Sequence, residues 1–323
     1  MNSFELIPTE ENLIHTLDKD LLKRNKDLVR FYDLILVQEG ASSIAIDGRW
    51  GSGKTFFVKQ SMLLINAKNP MSDMDDEKKA SIVYALPFPK KAEDMPENYD
   101  VAVYYDAWEN DNGTDPVLSL VYEIIKQLGI NYAFDDNSNA FKLAGSVLEA
   151  LTGRNINGII ENLKSDNPLT KIKEEKDLHE NIKNFFTELL VERGNRLVVF
   201  IDELDRCKPS YAVQLLERIK HYLYDDRITF VFSVNLGELQ HTIKHYYGNT
   251  FDACRYLDRF FDMRISLPPA DKTAFYREMG LESSYVLEKI CRKVIDTYNM
   301  ELREATRFYR QVKTAAYEPT HES

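Results

Sequence analysis

Ser43-Ile-Ala-Ile-Asp-Gly-Arg-Trp-Gly-Ser-Gly-Lys-Thr55 begins as a β-branched run and turns into a glycine-rich loop ending in Lys-Thr. Gly48, Gly53, Lys54 and Thr55 have the G-x-x-x-x-G-K-[ST] spacing. Backbone N–H groups of such a loop curl around phosphate oxygens, and side chains there would block the approach, so glycines recur. Lys54 adds a positive charge, and the Thr55 hydroxyl is placed to ligate Mg²⁺. Ser43 to Ile46 predicts a short buried strand, and Thr55 to Ile65 a helix whose positive end faces the anion. Gly48, Arg49, Trp50, Gly51, Ser52, Gly53, Lys54, Thr55 and Phe56 are therefore the expected nucleotide-binding loop, in which Trp50 is unusual for its bulk.

The complementary motif is Arg196-Leu-Val-Val-Phe-Ile-Asp-Glu-Leu-Asp-Arg206. Five consecutive apolar residues predict a strand buried on both faces, ending in two carboxylates. Ligands of open α/β sheets bind beyond the carboxyl ends of the strands, so Asp202 and Glu203 should face the phosphates. Together the two stretches read as Walker A and Walker B. Asp202 fits the Walker B role of holding Mg²⁺ through its water shell. Glu203 would orient or deprotonate an attacking water, and its place directly after the Asp favours a hydrolase over a GTPase-type switch. No N/T-K-x-D run is present, which favours ATP over GTP.

Length leaves room for one large α/β unit and a small appended one. The formal charge of −11 argues against a nucleic-acid footprint spread over the whole surface and leaves open only a local patch. Three scattered cysteines, Cys207, Cys254 and Cys291, suit a reducing compartment. The acidic start, Met1 to Asp20, does not resemble a signal peptide, and no apolar run is long enough for a transmembrane helix, so a cytoplasmic protein is expected.

Apolar spacing predicts a single helix over Leu17 to Gln38 and a mostly irregular stretch from Asn66 to Pro96, with a short strand at Ile82 to Leu86. Val101 to Trp108 predicts the second strand, with Trp108 in the core. Asp115 to Leu128 reads as an N-capped helix with Pro116 at its first position. Residues 130–180 are polar and Asn-rich and are expected to form a helical insertion, followed by a helix over Asp177 to Arg193. A helix over Ser210 to Leu223, a buried strand over Arg227 to Asn235 and a last strand over Met263 to Leu267 follow. Pro268-Pro269 then marks a boundary between a nucleotide-binding core (1–267) and a C-terminal helical lid (268–323) of three helices.

Further site candidates come from position. Asn235 ends the strand after Walker B, where a polar group can sense the γ-phosphate; Ser233 is the alternative, and a plain helix cap is the competing role for Asn235. Arg259, in Tyr256-Leu-Asp-Arg-Phe-Phe261, lies on the helix before the last strand, where oligomeric ATPases project an arginine into a neighbour's site; pairing with Asp258 or Asp262 is the competing role. Arg303 and Arg307 share one face of a lid helix and could reach the phosphates, unless that face is simply solvated.

These residues resemble the KAP family of P-loop NTPases. The likeness rests on Gly-Arg-Trp-Gly-Ser-Gly-Lys-Thr at 48–55, Asp-Ala-Trp-Glu at 106–109, Ile-Asp-Glu-Leu-Asp-Arg-Cys-Lys-Pro at 201–209, Tyr-Leu-Asp-Arg-Phe-Phe at 256–261 and Leu-Arg-Glu-Ala-Thr-Arg-Phe at 302–308. The resemblance implies an α/β fold of the ASCE type, with a parallel 5-1-4-3-2 sheet and a helical lid. Many members carry a transmembrane hairpin between Walker A and Walker B; the charges in 130–180 do not suit one. Bacterial members are often mobile and associated with phage exclusion. The expected function is Mg²⁺-dependent ATP hydrolysis driving a conformational or assembly switch, with an ATP-dependent homo-oligomer and a separately encoded protein partner. The alternative is a nucleotide-gated scaffold with negligible turnover.

Overall fold

Strands β1 (Ser42–Asp47), β2 (Asp100–Asp106), β3 (Arg196–Asp202), β4 (Ile228–Val234) and β5 (Met263–Ser266) form one sheet in the order β2-β3-β4-β1-β5, every pair parallel. Read from the β5 edge, that order is 5-1-4-3-2. The computed structural model describes residues 7–88, 99–112, 115–128, 180, 184–190, 193–222, 225–282 and 285–316. The insertion expected at 130–180 lies almost wholly outside the described residues, and of the helix expected over 177–193 only 184–190 form a described helical run.

Alternation of side chains along the strands builds two cores. Val101, Val103, Leu197, Val199, Ile201, Phe230 and Phe232 point to one face, while Ile44, Ile46, Ala102, Val198, Phe200 and Val231 point to the other. Helices α1 (Glu10–Lys19), α2 (Asn25–Leu36), α3 (Lys54–Lys68) and α4 (Asp76–Tyr84) cover the second face. Helices α5 (Pro116–Gln127), α6 (Pro209–Tyr222), α7 (Leu236–Tyr247) and α8 (Ala253–Leu257) cover the first. Burial on both sides explains why β3 carries the unbroken apolar run Leu197–Ile201 and β4 is buried along its whole length. The chain ends in α9 (Thr273–Glu278), α10 (Val286–Thr297) and α11 (Leu302–Ala316), which share an apolar cluster of their own with Leu22 packed against it.

The edge strand β2 is closed by side-chain amides. Asn66 pairs both its Oδ1 and its Nδ2 with the backbone of Ala102 (2.8 and 2.9 Å), and Gln127 does the same at Tyr104. Asn110 Nδ2 donates to the Asp106 carbonyl (2.9 Å). Three carboxamides thus stand where a neighbouring strand would, which removes a template for edge-to-edge association.

Two sequence expectations are corrected here. The segment 76–84 is a helix, not loop and strand, because the Asp75 carboxylate caps it by accepting from Glu77 N and Lys78 N. The single helix over 17–38 is two helices, broken at Asp20 and Lys23, both in the left-handed region (φ 45° and 55°). Asn25 fastens the break from inside, its Nδ2 donating to the carbonyls of Leu17 (2.7 Å) and Ala85 (3.1 Å). Among the described residues no helix is long and apolar enough to cross a membrane.

Asp100, at the amino end of β2, is 3% exposed, and its Oδ2 has no hydrogen-bond partner among the described residues. Burial pushes its pKa up to about 6, against a smaller opposing pull from Arg196. A carboxyl raised on folding stabilises fully below its unfolded pKa and loses that contribution as pH rises through about 6. Asp100→Asn keeps the shape without the charge. It is expected to raise stability at pH 8 by up to about 2–3 kcal/mol and to flatten the pH dependence between pH 4 and 7, read from denaturant melts.

Candidate active site

The carboxyl ends of the strands come level in one row, Asp106–Asp202–Ser233–Ile46–Ile265, which puts both acidic strand ends beside the loop that leaves β1. Gly51 and Gly53 hold φ of +79° and +91°, a region side chains avoid, so the loop needs glycine there. A Cβ on Gly51 would also come within 2.9 Å of the Arg303 Cβ, and Arg303 N donates to the Gly51 carbonyl (3.3 Å). Helix α11 therefore rests directly on the glycine loop.

Lys54 opens α3 and is buried, its Nζ donating to the carbonyls of Gly48 (2.5 Å) and Arg49 (3.2 Å). Burial lowers its pKa, and the nearby Asp205, Asp202 and Glu203 carboxylates work against that. An ammonium has three N–H bonds, which leaves one for a phosphate oxygen. Ser52 Oγ, on the same loop, is buried with no partner among the described residues, as a group awaiting a polar ligand would be.

Thr55 Oγ1 donates to Asp202 Oδ2 at 2.7 Å, across 147 residues of sequence. Asp202 is 1% exposed; Tyr104 OH donates to the same oxygen (3.1 Å) and Glu203 N to Oδ1 (3.0 Å). A hydroxyl beside an oriented carboxylate is a hard-oxygen donor set of the kind Mg²⁺ takes together with water. The residues present thus fit the ion. Tyr104 was not singled out in the sequence, where it is one more aromatic in a strand. Burial, and then the Asp202 charge, push its phenol pKa well up, which keeps it a donor.

Glu203 adopts a left-handed backbone (φ 60°, ψ 22°), rare for a side chain of its size, and its carboxylate lines the cavity over the loop. Its Oε2 is 2.6 Å from Arg206 Nε. Burial first, and the Asp202 charge second, push its pKa up to about 7, with Arg206 pulling the other way. The cavity holds about 330 Å³. Its lining includes polar groups, Lys54, Thr55, Glu203 and Arg206, and apolar ones, Leu21, Leu22, Phe56, Phe275 and Leu302, drawn from the α1–α2 break, α3, α9 and α11.

The structure brings together Arg49, Trp50, Gly51, Gly53, Lys54, Thr55, Phe56, Glu203 and Arg303 around that cavity, with Gly48, Ser52 and Asp202 directly behind them. Arg307 is exposed and does not line it. Asn235 Oδ1 accepts from Glu238 N (3.3 Å) as the N-cap of α7, and the residue does not line the cavity; Ser233 Oγ is buried with no partner among the described residues. Arg259 lies in the turn after α8, not on the helix, exposed and remote from this chain's own cavity. Both acids offered as its partners are engaged elsewhere, Asp258 with Arg264 (2.5 Å) and Asp262 with Ser43 N (2.9 Å). Trp108, expected in the core, is 55% exposed, with the Arg206 guanidinium 6.0 Å from its ring centre. The strand stops at Asp106, so Trp108 falls in the following turn and escapes the inward alternation.

Arg24 is a further residue the sequence did not flag. It is buried, its Nη1 donating to the Ser52 carbonyl (2.9 Å) and its Nε to the Pro268 carbonyl (2.8 Å). One guanidinium thereby ties the phosphate loop to the linker that enters the C-terminal helices. Burial lowers its pKa to about 10, so it stays charged at neutral pH.

Comparison with known proteins agrees with this geometry. Over 95 residues the chain is 33% identical to an uncharacterized protein of Methanocaldococcus jannaschii, a stretch that is 26% of this chain and 49% of that protein. The chain spans about half the length of this curated relative. The family described as KAP family P-loop domain matches residues 25–318, nearly the whole sequence, and the chain belongs to that family of P-loop NTPases.

Proposed function

We propose that the protein is an Mg²⁺-dependent ATPase that couples hydrolysis to movement of its C-terminal helices, with 1–267 as the nucleotide-binding core and 268–323 as the lid. The observation that carries this reading is the Thr55–Asp202 contact at 2.7 Å beside the Glu203 carboxylate, all at the mouth of the glycine loop. Lys54 and the loop N–H groups would hold the phosphates, Thr55 and Asp202 the metal, and Glu203 would take the proton of the attacking water. Bound Mg²⁺ would supply charge neutralisation at the phosphate oxygens.

The apolar side chains of the lining suit the flat base. The acids of the lining, Asp106 and Glu203, close β2 and follow β3, so among the described residues no other carboxylate lines the cavity to pair with the N–H donors of guanine. That supports ATP over GTP. Because α11 touches Gly51 and α9 and α11 supply Phe275 and Leu302, nucleotide and lid share one surface, which supports a switch. Arg259, exposed and without an ion-pair partner among the described residues, supports an assembly in which a second copy completes the site.

The test is phosphate release from Mg·ATP and Mg·GTP by the purified chain, beside Lys54→Met. The variant is expected to bind ATP about 10–100-fold more weakly, the worth of one hydrogen bond to a charged group, measured by titration calorimetry. Equal affinity in the variant would remove Lys54 from the phosphate site. Wild-type binding with no phosphate release would favour the nucleotide-gated scaffold.

A further inference from the structure

The chain has two tryptophans, and the same arginine lies beside both. The Arg206 guanidinium is 5.7 Å from the ring centre of Trp50, in the phosphate loop, and 6.0 Å from that of Trp108, just past β2. Trp50 is itself held, its Nε1 donating to Asp205 Oδ2 at 2.6 Å. Asp205 is buried in the short 3₁₀ turn Leu204–Arg206, closed by Arg206 N donating to the Glu203 carbonyl (3.1 Å). Arg206 Nε stands 2.6 Å from Glu203 Oε2, and both side chains are largely shielded.

We propose that Arg206 is a positioning residue for the Glu203 carboxylate, and that Trp50 and Trp108 fix Arg206 so that phosphate loop and carboxylate are set as one unit. The inference rests on the reading of Glu203 as the group that activates water. Glu203 Oε2 stands against Arg206 Nε, and a carboxylate has two acceptor oxygens, so this contact leaves acceptor capacity for the water. The planar guanidinium can bond along its edge while its faces meet indole rings, which a lysine cannot do. Trp50 makes the grip depend on the loop: a phosphate that reshapes Gly48–Thr55 shifts an arginine contact as well. An ordinary surface pair at i, i+3 would contribute to stability weakly and to turnover not at all.

The test uses the full chain and its Arg206→Ala, Arg206→Lys and Trp108→Phe variants. Thermal unfolding and affinity for a fluorescent ATP analogue report whether fold and nucleotide site persist. The expected result is a kcat at least about 10-fold lower in Arg206→Ala, the scale of losing proper orientation at a reacting group, with nucleotide affinity lowered by a smaller factor. Arg206→Lys should recover part of the loss, because it keeps charge but not the stacked plane. Trp108→Phe should lower kcat by about 2–5-fold, in line with a weakened cation–π contact. In Trp108→Phe the remaining indole is Trp50, and its emission should change on adding Mg·ATP. Introducing Arg206→Ala into that background should abolish the change. Wild-type hydrolysis with an unaltered or raised kcat in Arg206→Ala overturns the positioning role alone. A wild-type chain that binds nucleotide and releases no phosphate overturns the hydrolysis reading and this role with it.

Discussion

Glu203→Gln is expected to lower turnover by about 10²–10⁴-fold, the range for removing a general base, while ATP binding is kept. The substitution is nearly isosteric. The Gln carbonyl oxygen can still stand beside Arg206 Nε, and the backbone bond from residue 203 to Asp202 Oδ1 is untouched. What disappears is the capacity to take a proton from water. The site is suited to that step: burial and the Asp202 charge raise Glu203 to about 7, near the pH at which it would work. Stability gives an internal control. An ionised carboxylate raised on folding weakens the fold at pH 8, so the neutral variant should melt at the same temperature as wild type or higher. Retained binding, an unchanged or raised melting temperature and lost phosphate release would together assign the base. Undiminished turnover would sink the role, and Asp106, which also lines the cavity, would then be the group to test.

The glycine loop and the acid-ended strand were legible in the sequence because short spacing determines them. Glycines stand at fixed offsets from Lys54 and Thr55, and an apolar run ends in Asp202, so both stretches and the strands beneath them could be read directly. The five strands, the Asp115-capped helix and the three C-terminal helices followed from periodicity and caps. Contacts between distant segments could not be read the same way. Tyr104 reaches Asp202 from the next strand, and Arg24 reaches Ser52 and Pro268 from a helix break that no glycine or proline announces. That break exists because Asp20 and Lys23 take left-handed conformations, fastened by Asn25 to Leu17 and Ala85. Trp108 misled because it follows an alternating strand by two residues, and hydrophobicity alone does not say where pairing stops. Arg206 is a further contact of this kind, met by Trp50 and Trp108 from distant segments.

Asp202→Asn is expected to abolish the enhancement of ATP affinity by Mg²⁺ and to lower turnover at least about 10²-fold, since a Lewis-acid metal contributes several kcal/mol. The fold should survive the change, by donor arithmetic. Glu203 N needs an acceptor at Oδ1, and the Asn carbonyl oxygen can stay there. The amide nitrogen then faces Thr55 Oγ1 and Tyr104 OH, two hydroxyls that can rotate to accept instead of donate. The contacts of both oxygen positions are kept, the two hydroxyl protons give up their shared acceptor, and the anionic oxygen is gone. Calorimetric titration of ATP with Mg²⁺ and with a chelator separates the two effects: wild type should bind more tightly with the metal, the variant equally in both. Tyr104→Phe removes only the hydroxyl that orients Oδ2, and the same titration should show Mg²⁺-dependent affinity falling about 10–100-fold, as for other outer-shell partners. Asp106→Asn is the control that decides which strand end holds the ion. Asp106 lies level with Asp202 but spends its Oδ1 on Glu109 N, and the observed hydroxyl contact of Thr55 is with Asp202. It should keep the Mg²⁺ response. If it loses that response and Asp202→Asn keeps it, the metal sits one strand further out, and the Thr55–Asp202 contact is only a fastening of α3 to the sheet.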